Sequence, residues 1–126
     1  MKPLIAIVED SPDTRLLLQA FLEDDYRISE YENGVLALED LPSNPPDLVL
    51  LDISLPLMDG VEVLRHVREH ATLKAIPVVA LTAHAMSGDR EKYLALGFDA
   101  YISKPIWDEQ ILFDAIAELL NRPGSN

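Results

Sequence analysis

Short apolar runs alternate with amphipathic stretches along the chain. The runs have the length and the flanking turn residues of strands, and each is followed by residues with helical spacing. The predicted strands are 4–8, 26–31, 48–52, 77–82 and 99–103. The predicted helices are 12–23, 34–41, 61–70, a segment between Ser87 and Gly97, and 108–121. Strands that alternate with helices predict an α/β fold with a mostly parallel sheet.

Two of the strands are apolar on both faces. The runs "LIAIV" (4–8) and "LVLL" (48–51) contain no polar side chain, which is typical of parallel strands covered by helices on both sides. The chain is long enough for one core, and we expect one domain over residues 1–122, followed by a frayed tail at 123–126.

Capping residues set several predicted helix ends. Ser11 and Pro12 suit the N-cap and first position of the first helix. Ser87 is expected to cap the fourth helix, and Gly97 to end it in the left-handed conformation.

Composition narrows the class of protein. A hydrophobic content of 48% and a charged content of 25% are ordinary for a globular protein. Without cysteine, disulfides and thiolate metal sites are excluded. We find no membrane span or signal peptide and expect a cytoplasmic protein. A net charge of −12 argues against nucleic-acid binding; it is explained either by solubility or by carboxylates that hold a cation.

Polar side chains follow four of the predicted strands. Glu9 and Asp10 follow the first, Asp52 ends the third, Thr82 ends the fourth, and the fifth leads to Lys104. Functional groups in open parallel sheets gather at the carboxyl ends of the strands. We therefore expect these side chains to meet at one edge.

Asp52 is the least expected of them, because an ionised carboxylate after a buried strand is costly unless it is compensated. A divalent cation and Lys104 could offset its charge, and oxygen ligands suit Mg²⁺. A carboxylate so placed can attack phosphorus to give an acyl phosphate. Singly, Asp10 could be a cap, Thr82 a strand residue and Lys104 a surface charge; their joint placement favours a site.

The motifs "VED", "LLDISLPLMDG", "ALTA" and "SKP" occur in this order. In this respect the chain resembles the receiver domains of two-component response regulators nearly end to end, and most resembles the stand-alone, cell-cycle type. The resemblance implies a flavodoxin-like sheet in the order 2-1-3-4-5, with helices on both faces.

The resemblance also implies a Mg²⁺ site beside the phosphoacceptor, Asp52. Asp10 would ligate the metal directly and Glu9 through water, with Glu-Asp in place of the Asp-Asp of many relatives. Ser54 would contribute its backbone carbonyl.

Further implied roles concern the phosphoryl group and the switch. Thr82 and Lys104 would contact the phosphoryl group, and the Lys104–Pro105 bond would be cis. Tyr101 would turn inward from the surface when Thr82 moves, which would change the face formed by the fourth helix, fifth strand and fifth helix.

The expected function is that of a phosphorylated binding module, with a histidine kinase or histidine phosphotransfer protein as donor and a downstream protein as target. No effector domain is expected in the chain, which is either a natural single-domain regulator or a receiver from a larger protein.

Candidate partner contacts are Asp13, Thr14, Leu17 and Trp107. Leu17 could instead belong to the apolar face with which its helix packs on the core, and Trp107 could pack over the N-terminus of the last helix. His84 could modulate water access to the phosphoryl group.

Three rival functions are less favoured. A phosphohydrolase would carry its nucleophile after the first strand in a D-x-D motif, whereas position 54 is Ser. A nucleotide- or flavin-binding domain would need a glycine-rich loop, and none occurs. A receiver that is never phosphorylated would lack some of the side chains required for phosphorylation, whereas all of them are present in this sequence.

Overall fold

The computed structural model describes residues 2–83, 86–106 and 108–121. Its strands are β1 (Leu4–Val8), β2 (Arg27–Tyr31), β3 (Leu48–Asp52), β4 (Val78–Thr82) and β5 (Ala100–Ser103). Its helices are α1 (Pro12–Leu22), α2 (Gly34–Asp40), α3 (Gly60–Glu69), α4 (Asp89–Leu96) and α5 (Glu109–Leu120). The predicted alternation is confirmed, with boundaries that differ by one or two residues.

All neighbouring strands are parallel and lie in the order β2-β1-β3-β4-β5. The expected flavodoxin-like topology is therefore confirmed. β1 and β3 are neighbours, and the chain leaves them toward opposite sides of the strand order. Their carboxyl ends thus lie side by side at the switch point, where such folds bind ligands.

The sheet separates two apolar cores. One face packs against α2 and α3, through side chains such as Ala37, Val63 and Val67. The other face packs against α1 and α5, through side chains such as Leu18 and Ile116. β3 and β4 are buried along their whole length, as strands covered on both faces must be.

Two of the three predicted caps are correct. The Ser11 side chain accepts a hydrogen bond from the Thr14 backbone N–H at 3.3 Å, and Gly97 ends α4 in the left-handed region with φ 116°. The Ser87 cap is wrong. Gly88, with φ 88°, precedes α4, and the side chain that bonds the turn backbone is Asp89, which accepts from the Met86 N–H at 2.9 Å.

α4 is the most weakly held helix, because none of its residues is buried. Its main anchor is Tyr93, which stacks on Tyr101 of β5 with ring centroids 5.9 Å apart and meets Phe98 edge to face at 6.0 Å. In the described part of the chain no helix combines the length and apolarity that crossing a bilayer requires.

The start of α3 lies directly against the end of β3. A Cβ atom on Gly60 would fall 2.4 Å from the Asp52 carbonyl oxygen and 2.8 Å from the Ile53 Cα. The Gly60 N–H also donates to the Ile53 carbonyl at 2.9 Å. Only glycine permits this approach, which holds the backbone of Asp52 in place.

We predict that Gly60→Ala lowers the free energy of unfolding by about 1–3 kcal/mol, because the new methyl group meets backbone that cannot rotate away. Urea denaturation measures the change relative to the wild type. An unchanged or higher free energy of unfolding for Gly60→Ala would contradict this account of the β3 terminus.

Candidate metal centre

The structure brings together the acidic side chains that follow β1 and β3. One carboxylate oxygen from each of Glu9, Asp10 and Asp52 lies within 4.8 Å of the others. Glu9 and Asp52 are buried, whereas Asp10 is exposed. The cluster therefore has a closed side, toward the sheet, and an open side, toward solvent.

Glu9 is fixed through both its backbone and its side chain. Its carboxylate accepts hydrogen bonds from the Lys104 ammonium at 2.8 Å and from the Ser11 N–H at 3.0 Å. Its backbone N–H donates to the Tyr31 carbonyl at 3.0 Å, and its own carbonyl accepts from Arg15 Nη1 at 2.6 Å. The residue cannot reorient without breaking several of these bonds.

Asp52 is 2% exposed, and its two carboxylate oxygens have different partners. Oδ1 accepts from the Ser54 N–H at 3.0 Å, whereas Oδ2 lies 3.4 Å from the Lys104 Nζ. Lys104 thus bridges Asp52 and Glu9, so its single positive charge compensates two buried carboxylates.

Burial shifts the pKa values of the oppositely charged Glu9 and Lys104 in opposite directions. The pKa of Glu9 is raised to about 6, mainly by burial and further by Asp52, although the Lys104 ammonium and the Ser11 N–H lower it. Burial lowers the pKa of Lys104, but the hydrogen bonds and charges of Glu9 and Asp52 outweigh burial and raise it overall. Lys104 therefore stays protonated near neutral pH.

The donor set of this cluster fits a hard divalent cation. Carboxylate oxygens are ligands that Mg²⁺ prefers, and Mg²⁺ usually keeps several of its waters. The exposed position of Asp10 leaves room for such waters. The three carboxylates exceed the single charge of Lys104, so a cation would reduce the remaining repulsion.

Thr82 ends β4 beside the same cluster. It is 4% exposed and lies opposite Ser103 in the register of β4 and β5. Its carbonyl accepts a hydrogen bond from the Lys104 N–H at 2.6 Å, which fixes the backbones of these two residues relative to each other. The Lys104–Pro105 bond is cis, as the resemblance implied.

The Tyr101 ring is half-buried and stacks on the Tyr93 ring, with the centroids 5.9 Å apart. Its hydroxyl is shielded from solvent and has no hydrogen-bond partner among the described residues. Burial, followed by the nearby charge of Asp89, raises the pKa of this hydroxyl.

The predicted partner contacts on α1 lie near the cluster. Asp13 is exposed, and Leu17 is 40% exposed while its neighbour Leu18 is buried. Leu17 therefore does not belong to the apolar face of α1 that packs on the core. Thr14 and Leu17 line a groove of about 270 Å³, together with Ala83, Lys104, Pro105 and Ile106. Trp107 and His84 lie outside the described residues.

Sequence reasoning missed the contact of Arg15 with the Glu9 backbone and the unusual backbone conformation of Leu57. Arg15 gave no signal because its target is a backbone carbonyl, which every residue has. Leu57 lies in the loop after β3, has φ 68° and is 82% exposed. A leucine at positive φ is unusual and strained, and neither the turn chemistry nor the apolar pattern predicts its exposure.

The chain belongs to the response regulator receiver domain family, whose model matches residues 5–117. It is 40% identical to the polar-differentiation response regulator DivK of Brucella anthropi, over 84% of this chain and 87% of that protein. It is 39% identical to the response regulator Rre1 of Synechocystis, over 94% of this chain and 52% of that protein.

The chain is also similar to one segment of a much larger protein. The chain is 37% identical to the sensor histidine kinase GacS of Pseudomonas protegens, over 86% of this chain but 12% of the kinase. The chain therefore spans a small part of GacS and about half of Rre1.

Solved structures of two relatives contain a divalent metal ion. The receiver domain of sensor histidine kinase PA1611 from Pseudomonas aeruginosa, with magnesium coordinated in its active-site cleft, matches with a TM-score of 0.87 at 29% identity, over 97% of this chain and 100% of that one. The Mn²⁺-bound response regulator Rcp1 matches with a TM-score of 0.76 at 29% identity, over 92% of this chain and 91% of that one. The donor set of the cluster and the magnesium-bound relative therefore both support Mg²⁺ as the cofactor.

We predict that Mg²⁺ raises the melting temperature, because a ligand bound only by the folded state stabilises it; at ten times the Kd the gain is about 1.4 kcal/mol. Asp10→Ala should abolish this gain. Asp24→Ala, which removes one charge from an exposed turn outside the cluster, should preserve it. A thermal melt with and without Mg²⁺ measures the effect, and a wild type insensitive to Mg²⁺ would refute the site.

Proposed function

We propose that this chain is a phosphoacceptor module in histidine-to-aspartate phosphorelay, with Asp52 as the acceptor. The observation that carries the proposal is the position of Asp52 at the end of β3, with the Lys104 ammonium 3.4 Å from its Oδ2. An ionised carboxylate held in this way is a nucleophile with a cation placed where negative charge increases.

The reaction exchanges one bond to phosphorus for another. A carboxylate oxygen of Asp52 attacks the phosphorus of a phosphohistidine, the P–N bond breaks, and the imidazole leaves with the electron pair. The product is an acyl phosphate on the protein itself. The chain is thus the substrate of its donor, and we do not expect turnover of small phosphate esters.

The acidic cluster would hold Mg²⁺ through Asp10 and Asp52 directly and through Glu9 by way of water, with the Ser54 carbonyl as a further ligand. When bound, the ion supplies positive charge against the oxygens of the transferring group. Lys104 supplies a second positive charge, and the Thr82 hydroxyl donates a hydrogen bond to the phosphoryl group.

The donor would approach over α1 and the loops at the carboxyl end of the sheet. The groove lined by Thr14 and Leu17 reaches Lys104, so a partner seated there is next to the acceptor. Asp13, which is exposed on the same helix as Thr14 and Leu17, would be a further contact for such a partner. A histidine kinase or histidine phosphotransfer protein would fill this role.

The output would come from the face formed by α4, β5 and α5. Because α4 buries no residue and depends on the Tyr93–Tyr101 stack, a small displacement of Tyr101 can shift it. Phosphorylation would draw Thr82 toward the phosphoryl oxygens and allow Tyr101 to follow. A downstream protein would then distinguish the two states through its different affinities for them.

We predict that Asp52→Asn still folds, since loss of a charge from an acidic cluster relieves repulsion, but gains no phosphoryl group. Intact mass after incubation with acetyl phosphate and Mg²⁺ measures this, and hydroxylamine should remove the group from the wild type. The control is Asp59→Asn, which keeps the N-cap of α3 and should be labelled normally. Labelling of Asp52→Asn at the wild-type level would exclude Asp52 as the acceptor.

We predict that Thr82→Ala and Tyr101→Ala accept the phosphoryl group but lose the response of α4. Hydrogen exchange of the α4 amides, with and without phosphorylation, should change in the wild type and stay constant in both variants. Thr72→Ala, an exposed threonine outside both α4 and the cluster, should respond like the wild type. A full response in Thr82→Ala would exclude this coupling.

A further inference from the structure

Arg15 lies on α1, and its guanidinium contacts the acidic cluster at the backbone carbonyl of Glu9 rather than at a carboxylate. Its Nη1 donates to the Glu9 carbonyl at 2.6 Å. Its Nε lies 3.4 Å from the Glu30 carboxylate on β2, and the Arg15 side chain is 19% exposed. One planar guanidinium therefore joins the first helix, the loop after β1 and the edge strand.

The Glu9 carbonyl belongs to the peptide unit that leads to Asp10. Because that unit is planar, fixing its oxygen also fixes the direction in which the chain enters Asp10. The N–H of Glu9 is already held by the Tyr31 carbonyl at 3.0 Å. Arg15 thus completes a clamp on the backbone that carries two of the three clustered carboxylates.

We propose that Arg15 is a positioning residue for the metal site, which holds Glu9 and Asp10 in the arrangement that binds Mg²⁺. The inference rests on the metal-ligand roles proposed for these two residues. Groups that orient metal ligands without touching the metal commonly change affinity about 10–100-fold when they are removed.

The direction in which the Mg²⁺ affinity changes when Arg15 is removed distinguishes a positioning role from a purely electrostatic one. Arg15 carries a positive charge next to a site for a cation, so its charge alone disfavours Mg²⁺. If charge were the whole effect, removing Arg15 would strengthen binding. If Arg15 positions the ligands, removing it weakens binding despite the more negative site.

The test is the Mg²⁺ affinity of the unphosphorylated protein, measured by calorimetry for the wild type, Arg15→Met and Arg15→Lys. We expect Arg15→Met to weaken binding about 10-fold. Arg15→Lys should recover part of the affinity, because an ammonium can bond the carbonyl but cannot engage Glu30 with the same fork geometry. The Mg²⁺ concentration for half-maximal phosphorylation by acetyl phosphate should rise in parallel.

Arg27→Met is the matched control. Arg27 also donates to a backbone carbonyl, that of Lys2 at 2.8 Å, and its loss changes the net charge equally. It lies at the opposite end of β2 from the cluster, so its loss should leave the Mg²⁺ affinity within about twofold of the wild type, a change too small for a ligand-orienting group.

Unchanged or tighter Mg²⁺ binding by Arg15→Met would overturn the proposal, and so would a lower melting temperature without Mg²⁺ at unchanged affinity. If Arg15→Met does not fold, Glu30→Gln removes the anchor of Arg15 instead and should weaken binding by a smaller factor; unchanged affinity there would also overturn it. A wild type that binds no Mg²⁺ would instead refute the metal site itself.

Discussion

The ammonium of Lys104 lies between two carboxylates that the fold has buried, 2.8 Å from Glu9 and 3.4 Å from Asp52. Without it, two buried carboxylates would lie near each other with no compensating side chain, which costs several kcal/mol. Even with Lys104 in place, burial raises the pKa of Glu9 to about 6. Because Lys104 comes from the loop after β5, the interaction also connects the last strand to the first and third. The site is therefore complete only when β1, β3 and β5 have come together in the sheet.

The molecule combines a fixed site with a weakly attached helix. β3 and β4 are buried along their length, and Gly60 lets α3 press against the Asp52 backbone. By contrast, α4 buries no residue and is held mainly by the stacking of Tyr93 on Tyr101. This contrast suits a module in which chemistry needs fixed geometry and signalling needs an element that shifts at low cost.

The features that could be predicted from the sequence are those that local residue patterns and strand topology determine. Apolar runs located the strands, Gly97 located a helix end, and the rule that strand ends gather function brought Asp52 and Lys104 together. Other features depend on tertiary contacts. The Ser87 cap failed because Asp89 bonds the turn instead. The Arg15 contact to the Glu9 carbonyl and the Tyr93 stack have no sequence pattern, since their partners are a backbone atom and a distant ring.

The central claim is that Lys104 neutralises the buried carboxylates before phosphorylation and the phosphoryl group afterwards. A crystal structure with Mg²⁺ and trifluoroberyllate, which mimics a phosphoryl group on aspartate, tests it most directly. We predict the mimic on Asp52, Mg²⁺ beside Asp10, and the Lys104 Nζ moved from Glu9 to a fluorine. A mimic on another carboxylate, or a Lys104 still bonded to Glu9 and out of reach of the mimic, would contradict the account.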